Sequence, residues 1–174
     1  DAFFALYYQP QNITLVLVGD FKPDEAEAMV QRYFGRIPAG TQPPPEVTTR
    51  EPDQAAEKRM YAEAETNPQV DILWKTVGFQ HRDSYPLDVL QLLLSNRTGR
   101  LHKGLVLGRE VATSTYAQQD SRKWGGVFNI GGEAKDGRTP EDVETAIYAE
   151  LDRIKSEPVP AEELQKVKNQ FAAF

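Results

Sequence analysis

Ile13-Thr14-Leu15-Val16-Leu17-Val18, then Gly19-Asp20-Phe21-Lys22-Pro23-Asp24, then an apolar series at Ala26, Met29, Val30, Tyr33 and Phe34, reads as strand, turn and helix. The hexapeptide is apolar apart from Thr14 and lacks polar alternation, which predicts a central strand buried on both faces. Pro23 suits a first helical turn, Asp24 and Glu25 complement the helix dipole, and Gly35 ends the run. Ahead of it, Asp1-Ala2-Phe3-Phe4-Ala5-Leu6-Tyr7-Tyr8 reads as the end of a helix already in progress. No charged n-region followed by an apolar h-region opens the sequence, so a signal peptide is expected only upstream of Asp1.

Working outward, Pro38, Pro43, Pro44, Pro45 and Pro52 punctuate a stretch with little apolar content, which predicts an extended, loosely packed linker. The resulting division is residues 1–37 as the end of a preceding lobe, 38–57 as linker and 58–174 as a second lobe. In that lobe Lys58 to Glu65 and Val70 to Phe79 are expected to form a hairpin around Thr66-Asn67-Pro68. Tyr85 to Leu94 carries an apolar helical face at Leu87, Leu90, Leu93 and Leu94, with Ser84 as the expected N-cap and Pro86 in the first turn. Leu101, Leu105 and Val106 mark a short helix. Val111 to Gln118 and Trp124 to Glu133 read as strands joined by the polar loop 119–123. Thr139 and Pro140 open a helix with Val143, Ile147, Leu151 and Ile154 as its buried stripe, and Pro158 stops it. A last helix begins near Pro160, with Leu164, Val167, Phe171 and Phe174 as an apolar stripe that predicts self-association.

The 174 residues are 40% hydrophobic and 26% charged, a composition that folds. A net charge of −6 without a basic cluster argues against nucleic acid as a partner. The most apolar short run, Ile13 to Val18, is far too short to span a membrane. The absence of cysteine excludes disulfides, thiol nucleophiles and thiolate metal sites, and leaves the compartment open.

Metal-dependent hydrolysis needs several converging ligands, whereas this chain has two histidines. His81 lies in a polar turn beside Arg82 and Asp83, His102 stands beside Lys103, and neither sits in an H-x-x-E-H or H-E-x-x-H motif, so both are expected to be surface or capping residues. The pairs Asp24/Glu25 and Glu162/Glu163 fall in first helical turns, where the dipole accounts for them. Gly125-Gly126 and Gly131-Gly132 match no phosphate-binding pattern and predict bulges or close packing. Trp74 and Trp124 are expected in the core or between lobes. The residues predict no catalytic, cofactor-binding or metal-ligating site in this chain.

Tyr7-Tyr8-Gln9-Pro10-Gln11-Asn12 with the strand, Gly19-Asp20-Phe21, the helix and Tyr33-Phe34-Gly35-Arg36-Ile37-Pro38 resemble the close of the first lobe in the pitrilysin/insulinase superfamily of zinc peptidases, which includes mitochondrial processing peptidase. Gln69 to Gly78, Gly99-Arg100-Leu101, Leu105-Val106 and Ala112-Thr113-Ser114-Thr115 are similar to the opening of that family's second lobe. Bacterial two-lobed members look closest, and the resemblance covers nearly the whole chain.

This resemblance implies an α+β, metallohydrolase-like lobe, a mostly antiparallel sheet with helices packed on it, from the family's non-catalytic half. Zinc is expected in the first lobe, upstream of Asp1, and none in this segment. Residues 84–94 would be the counterpart of the zinc helix, without histidine. Many active relatives carry an arginine and, seven residues later, a tyrosine in this lobe; the matching positions are Val106 and Thr113, while Arg109 and Tyr116 keep the separation but are displaced by three. The implied function is a substrate-chamber segment of a zinc endopeptidase acting on peptides or unfolded polypeptide, inactive alone. The alternative is part of an inactive homologue that binds peptide or scaffolds an active partner; an unrelated α/β binding module ranks below both. The expected partners are the first lobe of the same polypeptide and a peptide substrate, and the family resemblance favours a bacterial periplasm or cell envelope.

Overall fold

The computed structural model describes residues 2–46, 51–95 and 97–172. It divides into two compact units, Asp1–Met60 and Tyr61–Phe174.

In the first unit, helix α1 spans Ala2–Tyr7 and α2 spans Pro23–Phe34, joined through a 3-10 turn at Pro10–Asn12. Pro23 opens α2, Asp24 and Glu25 occupy its first turn, and Gly35 caps it with its N–H on the Gln31 carbonyl. The segment 13–18 departs from expectation. It belongs to no ladder and is exposed along its length, with Val18 at 93%. A strand satisfies its backbone donors and acceptors only against a neighbour, and among the described residues no strand flanks it. Among the described residues, Ala26 is the one buried residue of this unit's helices.

In the second unit, β1 (Gln69–Thr76), β2 (Ala112–Ser121) and β3 (Gly126–Ala134) form an antiparallel sheet in the order β1-β3-β2. The hairpin expected at 58–79 does not form. Residues 58–65 lie outside any strand, and β1 pairs instead with β3, from Gln69 opposite Glu133 to Thr76 opposite Gly126. The apolar members of the expected strand are Met60, Tyr61, Ala62 and Ala64, set among charged residues. They offer little area to offset the ordering of an edge, and Met60 stays 95% exposed. The other two strands hold, but the ladder runs on to Ser121 opposite Gly126, so Gln119 and Asp120 belong to β2 rather than to the loop. Trp124 lies outside β3, exposed at 72% with Lys123 over its ring, and is not a core residue. Trp74 packs edge-on to Tyr148 at 6.3 Å.

Helix α3 (Ser84–Leu94), a π-helix (His102–Gly108), α4 (Pro140–Ser156) and α5 (Ala161–Ala172) complete the unit. Ser84 is not the N-cap. It is the first helical residue, buried, and its hydroxyl donates to the His81 carbonyl at 2.8 Å. Thr139 does cap α4: its hydroxyl accepts from Asp142 N–H at 3.2 Å while the Asp142 carboxylate accepts from Thr139 N–H at 3.0 Å. Leu94, Leu101, Leu105, Ile130, Val143 and Ile147 form the fully buried centre of the core, with Leu151 and Ile154 at its margin. Val167 is buried on α5, Phe171 is 46% exposed, and Phe174 of the predicted stripe lies outside the described residues. Among the described residues no helix is long and apolar enough to cross a membrane.

Candidate functional site

Among the described residues, no three His, Asp or Glu side chains converge as a metal-holding group. The His81 ring nitrogen Nδ1 accepts the Asp83 N–H at 3.2 Å, which fixes the turn entering α3. His102 is the first residue of the π-helix and half-buried.

Val106 packs at the margin of the core. Thr113 lies on the register irregularity between Ala112 and Ser114, where its hydroxyl donates to Glu133 Oε1 at 3.0 Å. Arg109 is exposed at the end of the π-helix, its backbone N–H closing the last turn on Gly104 at 2.9 Å. Tyr116 stands on β2, and its hydroxyl donates to Asp71 on β1.

Period-two alternation sorts the sheet into two faces. Val70, Ile72, Trp74, Phe128, Ile130 and Ala117 turn to the core, with α3 against β2 and α4 against β3 and β1. The opposite face carries Asp71, Leu73, Asn129, Glu133, Tyr116 and Gln118. Gly131 makes this face possible. A Cβ there would collide with the Tyr116 ring, so the missing side chain lets the tyrosine lie across β3 and reach β1. Asn129 Nδ2 also donates to Asp71, at 3.5 Å, and Glu133 accepts from Asn67 Nδ2 at 2.7 Å. Close packing, one of the two roles expected for Gly131-Gly132, is what the structure shows at this pair.

A concavity of about 770 Å³ lies between the start of the π-helix, α4 and α5. Here Arg100 makes a two-pronged bond to Glu163, Nε to Oε1 at 3.0 Å and Nη2 to Oε2 at 2.7 Å. That bond raises the arginine's pKa and holds the Glu163 carboxyl below its ordinary range, against the opposing effect of burial. Glu150, only 3% exposed, accepts from Arg153 at 3.1 Å, and its carboxylate crowds Gly104, where a Cβ would come within 2.7 Å of Oε1. The Arg100–Glu163 pair gives the cleft a structural role, joining α5 to the segment that enters the π-helix, while Glu150–Arg153 lies within α4. The sequence placed Glu163 in a first helical turn but gave no sign of Arg100, which comes to it from 63 residues away.

Comparison with known proteins agrees with this architecture. The family model described as Peptidase M16 inactive domain matches residues 1–171. The zinc protease PqqE of Helicobacter pylori is 25% identical over 177 residues, covering 99% of this chain and 40% of that protein. The crystal structure of a protease from Helicobacter pylori superposes with a TM-score of 0.88 at 25% identity, covering 99% of this chain and 43% of the other. Pitrilysin matches with a TM-score of 0.61 at 18% identity, over 93% of this chain and 18% of its own. The chain thus spans about two fifths of the length of the curated relative it matches.

Proposed function

The chain belongs to the family of the peptidase M16 inactive domain, and from that premise we propose that it forms a non-catalytic wall of the substrate chamber of a zinc endopeptidase acting on peptides or unfolded polypeptide. The observation that carries this reading is the sheet's open face. One face buries the core, while the other presents a polar surface with Tyr116 laid over Gly131. Such a face, bordered by the edge strands β1 and β2, suits an extended chain held mainly through backbone groups.

In the same reading, residues 1–37 close the preceding lobe, 38–57 link the lobes, and zinc is held upstream of Asp1. The exposed apolar segment 13–18 supports this division, since it has the composition of a sheet interior but no sheet around it. A periplasmic or envelope location follows from the resemblance to bacterial two-lobed members, and self-association through α5 from the exposure of Phe171. Family membership sets aside the unrelated α/β module.

A second reading rests on the resemblance, which matches Val106 and Thr113 to the arginine and tyrosine of active relatives, and on the packing of Val106 at the core margin. In that reading the parent polypeptide is inactive and serves an active partner. The test is zinc content and turnover of an unstructured fluorogenic peptide, measured on the polypeptide with its upstream lobe and on this chain alone. Chelator-sensitive turnover by the longer protein and none by this chain is the expected result. A longer protein without zinc supports the scaffold, and chelator-sensitive turnover by this chain alone overturns both readings.

A further inference from the structure

One end of the second unit's sheet sets aromatic and basic side chains side by side. Where β1 ends, Val77-Gly78-Phe79 leads into the turn before α3, and beside it Lys123-Trp124 forms the tip of the β2–β3 hairpin. The Arg122 N–H closes that tip on the Gly125 carbonyl at 2.8 Å, and the Phe79 N–H joins the two loops through the Arg122 carbonyl at 3.0 Å. Gly78 allows the approach, since a Cβ there would come within 3.2 Å of the Arg122 and Lys123 carbonyl oxygens. Although the loops are tied together, Phe79, Tyr85 and Trp124 are 68%, 71% and 72% exposed. Charge is uneven as well. The chain carries a net −6, yet over residues 75–85 and 120–125 the cations Lys75, Arg82, Arg122 and Lys123 outnumber the carboxylates Asp83 and Asp120. Asp120 pairs with Arg122 at 2.7 Å, Asp83 lies between Arg82 at 3.5 Å and His81 at 3.6 Å, and Lys123 Nζ stands over the Trp124 ring at 4.6 Å.

We propose that this end of the sheet docks on an anionic lipid surface, with Phe79, Tyr85 and Trp124 entering the headgroup layer and Arg122 and Lys123 meeting lipid phosphates. The mixture of side chains selects that occupant. Tryptophan and tyrosine favour the boundary between membrane and water, where an apolar ring and a polar tip are both accommodated. Lysine and arginine beside them lay their stems along apolar surface while their charged heads stay with the phosphates. A net-acidic protein is repelled from an anionic bilayer except through a locally basic face, so the charge distribution also sets the orientation. A protein partner would call for a contiguous apolar patch with few charges at its centre, whereas these rings are interspersed with Arg82, Arg122 and Lys123. Membrane docking neither requires nor excludes the chamber wall.

The test is co-sedimentation of the 174-residue chain with vesicles of phosphatidylcholine alone and of phosphatidylcholine and phosphatidylglycerol in equal parts, with Trp124 fluorescence followed in a Trp74→Phe background. Binding to the mixed vesicles is expected to exceed binding to phosphatidylcholine alone by about tenfold or more, and to fall as salt rises. Trp124 emission should move to shorter wavelength and be quenched by lipids brominated on their acyl chains. Phe79→Ser with Trp124→Ser should abolish binding. Arg122→Gln with Lys123→Gln should weaken it about twentyfold, at about fivefold for each cation. Lys166→Gln with Lys168→Gln, the same charge change on α5, should leave it within about twofold, which separates a local site from a change in net charge. Circular dichroism of each variant checks the fold. No binding to the mixed vesicles, binding with Trp124 emission unmoved, or an equal loss in the α5 variant overturns the proposal. A blue shift that follows protein concentration without lipid assigns the tip to contact between copies and overturns it as well.

Discussion

The two units contain the same kinds of apolar residue and treat them oppositely. In Tyr61–Phe174, Leu94, Leu101, Leu105, Ile130 and Ile147 have no exposed surface, whereas in Asp1–Met60 Leu15, Val16, Leu17, Val18, Met29 and Phe34 are all exposed. Helices form in both, because caps, propensity and periodicity act within about a dozen residues. Burial does not, because it needs partners on every side. An apolar run therefore predicts a neighbour, not a strand.

This contrast gives the largest expected effect. Ile147→Ala should destabilise the chain by about 2–5 kcal/mol, the cost of a buried aliphatic truncation, while Leu17→Ala, at a position 48% exposed, should stay within about 0.5 kcal/mol. Urea denaturation of both variants checks it. Equal losses would mean that residues 13–18 are covered in solution, and hydrogen exchange would show the same as protection of the Val16 amide comparable to that of Ile130.

A smaller effect isolates the local contribution. Thr139→Ala removes one half of the capping box of α4 and should cost about 1 kcal/mol, because its hydroxyl satisfies the Asp142 N–H at 3.2 Å. No side chain caps α2, whose N-cap is Lys22, so Lys22→Ala should lose no more than the exposed Lys22–Glu25 pair contributes, about 0.5 kcal/mol. Thermal melts of the two variants order them. A larger loss at Lys22 would show that the first unit depends on its own helix start more than its exposed surface indicates.

What the sequence disclosed follows the same division. Thr139, Pro140 and the stripe from Val143 to Ile154 were legible because each rule spans one or two turns. Strands β2 and β3 were legible as an adjacent pair. The partner of β1 was not, since pairing Gln69 with Glu133 closes a loop of more than sixty residues, and local alternation cannot rank such a partner against a nearby one. At the candidate site, the two glycines at 131 and 132 signalled close packing, but not that Tyr116 would fill the space or that Asp71 would receive its hydroxyl. That constellation depends on the register of three strands. Ser84 was misassigned because a serine before an apolar run fits either side of a helix boundary; the His81 carbonyl, which takes its hydroxyl, decided the matter.

Helices α2 and α5 sharpen the comparison further, because each buries a single residue, Ala26 in one and Val167 in the other. They differ in that α5 is tied to the rest of its unit by Arg100 and Glu163, whose side chains are 15% and 29% exposed. The Glu163 carboxyl titrates below its ordinary range because Arg100 bonds the charged form, with burial opposing. A group whose folded pKa is depressed contributes stability above its unfolded pKa, near 4.3 for glutamate, and loses it as pH falls toward the folded value. Glu163→Gln should therefore destabilise by roughly 0.5–1 kcal/mol at pH 7, and the difference from the natural sequence should shrink as pH drops below about 4. Glu162→Gln is the control: it removes a charge from the same first turn, and with it the dipole contribution, but leaves the ion pair intact. Denaturation of the three proteins across pH measures the difference. An equal, pH-parallel loss in both variants would assign Glu163 to the helix dipole alone, and α5 would then be held by no more than holds α2.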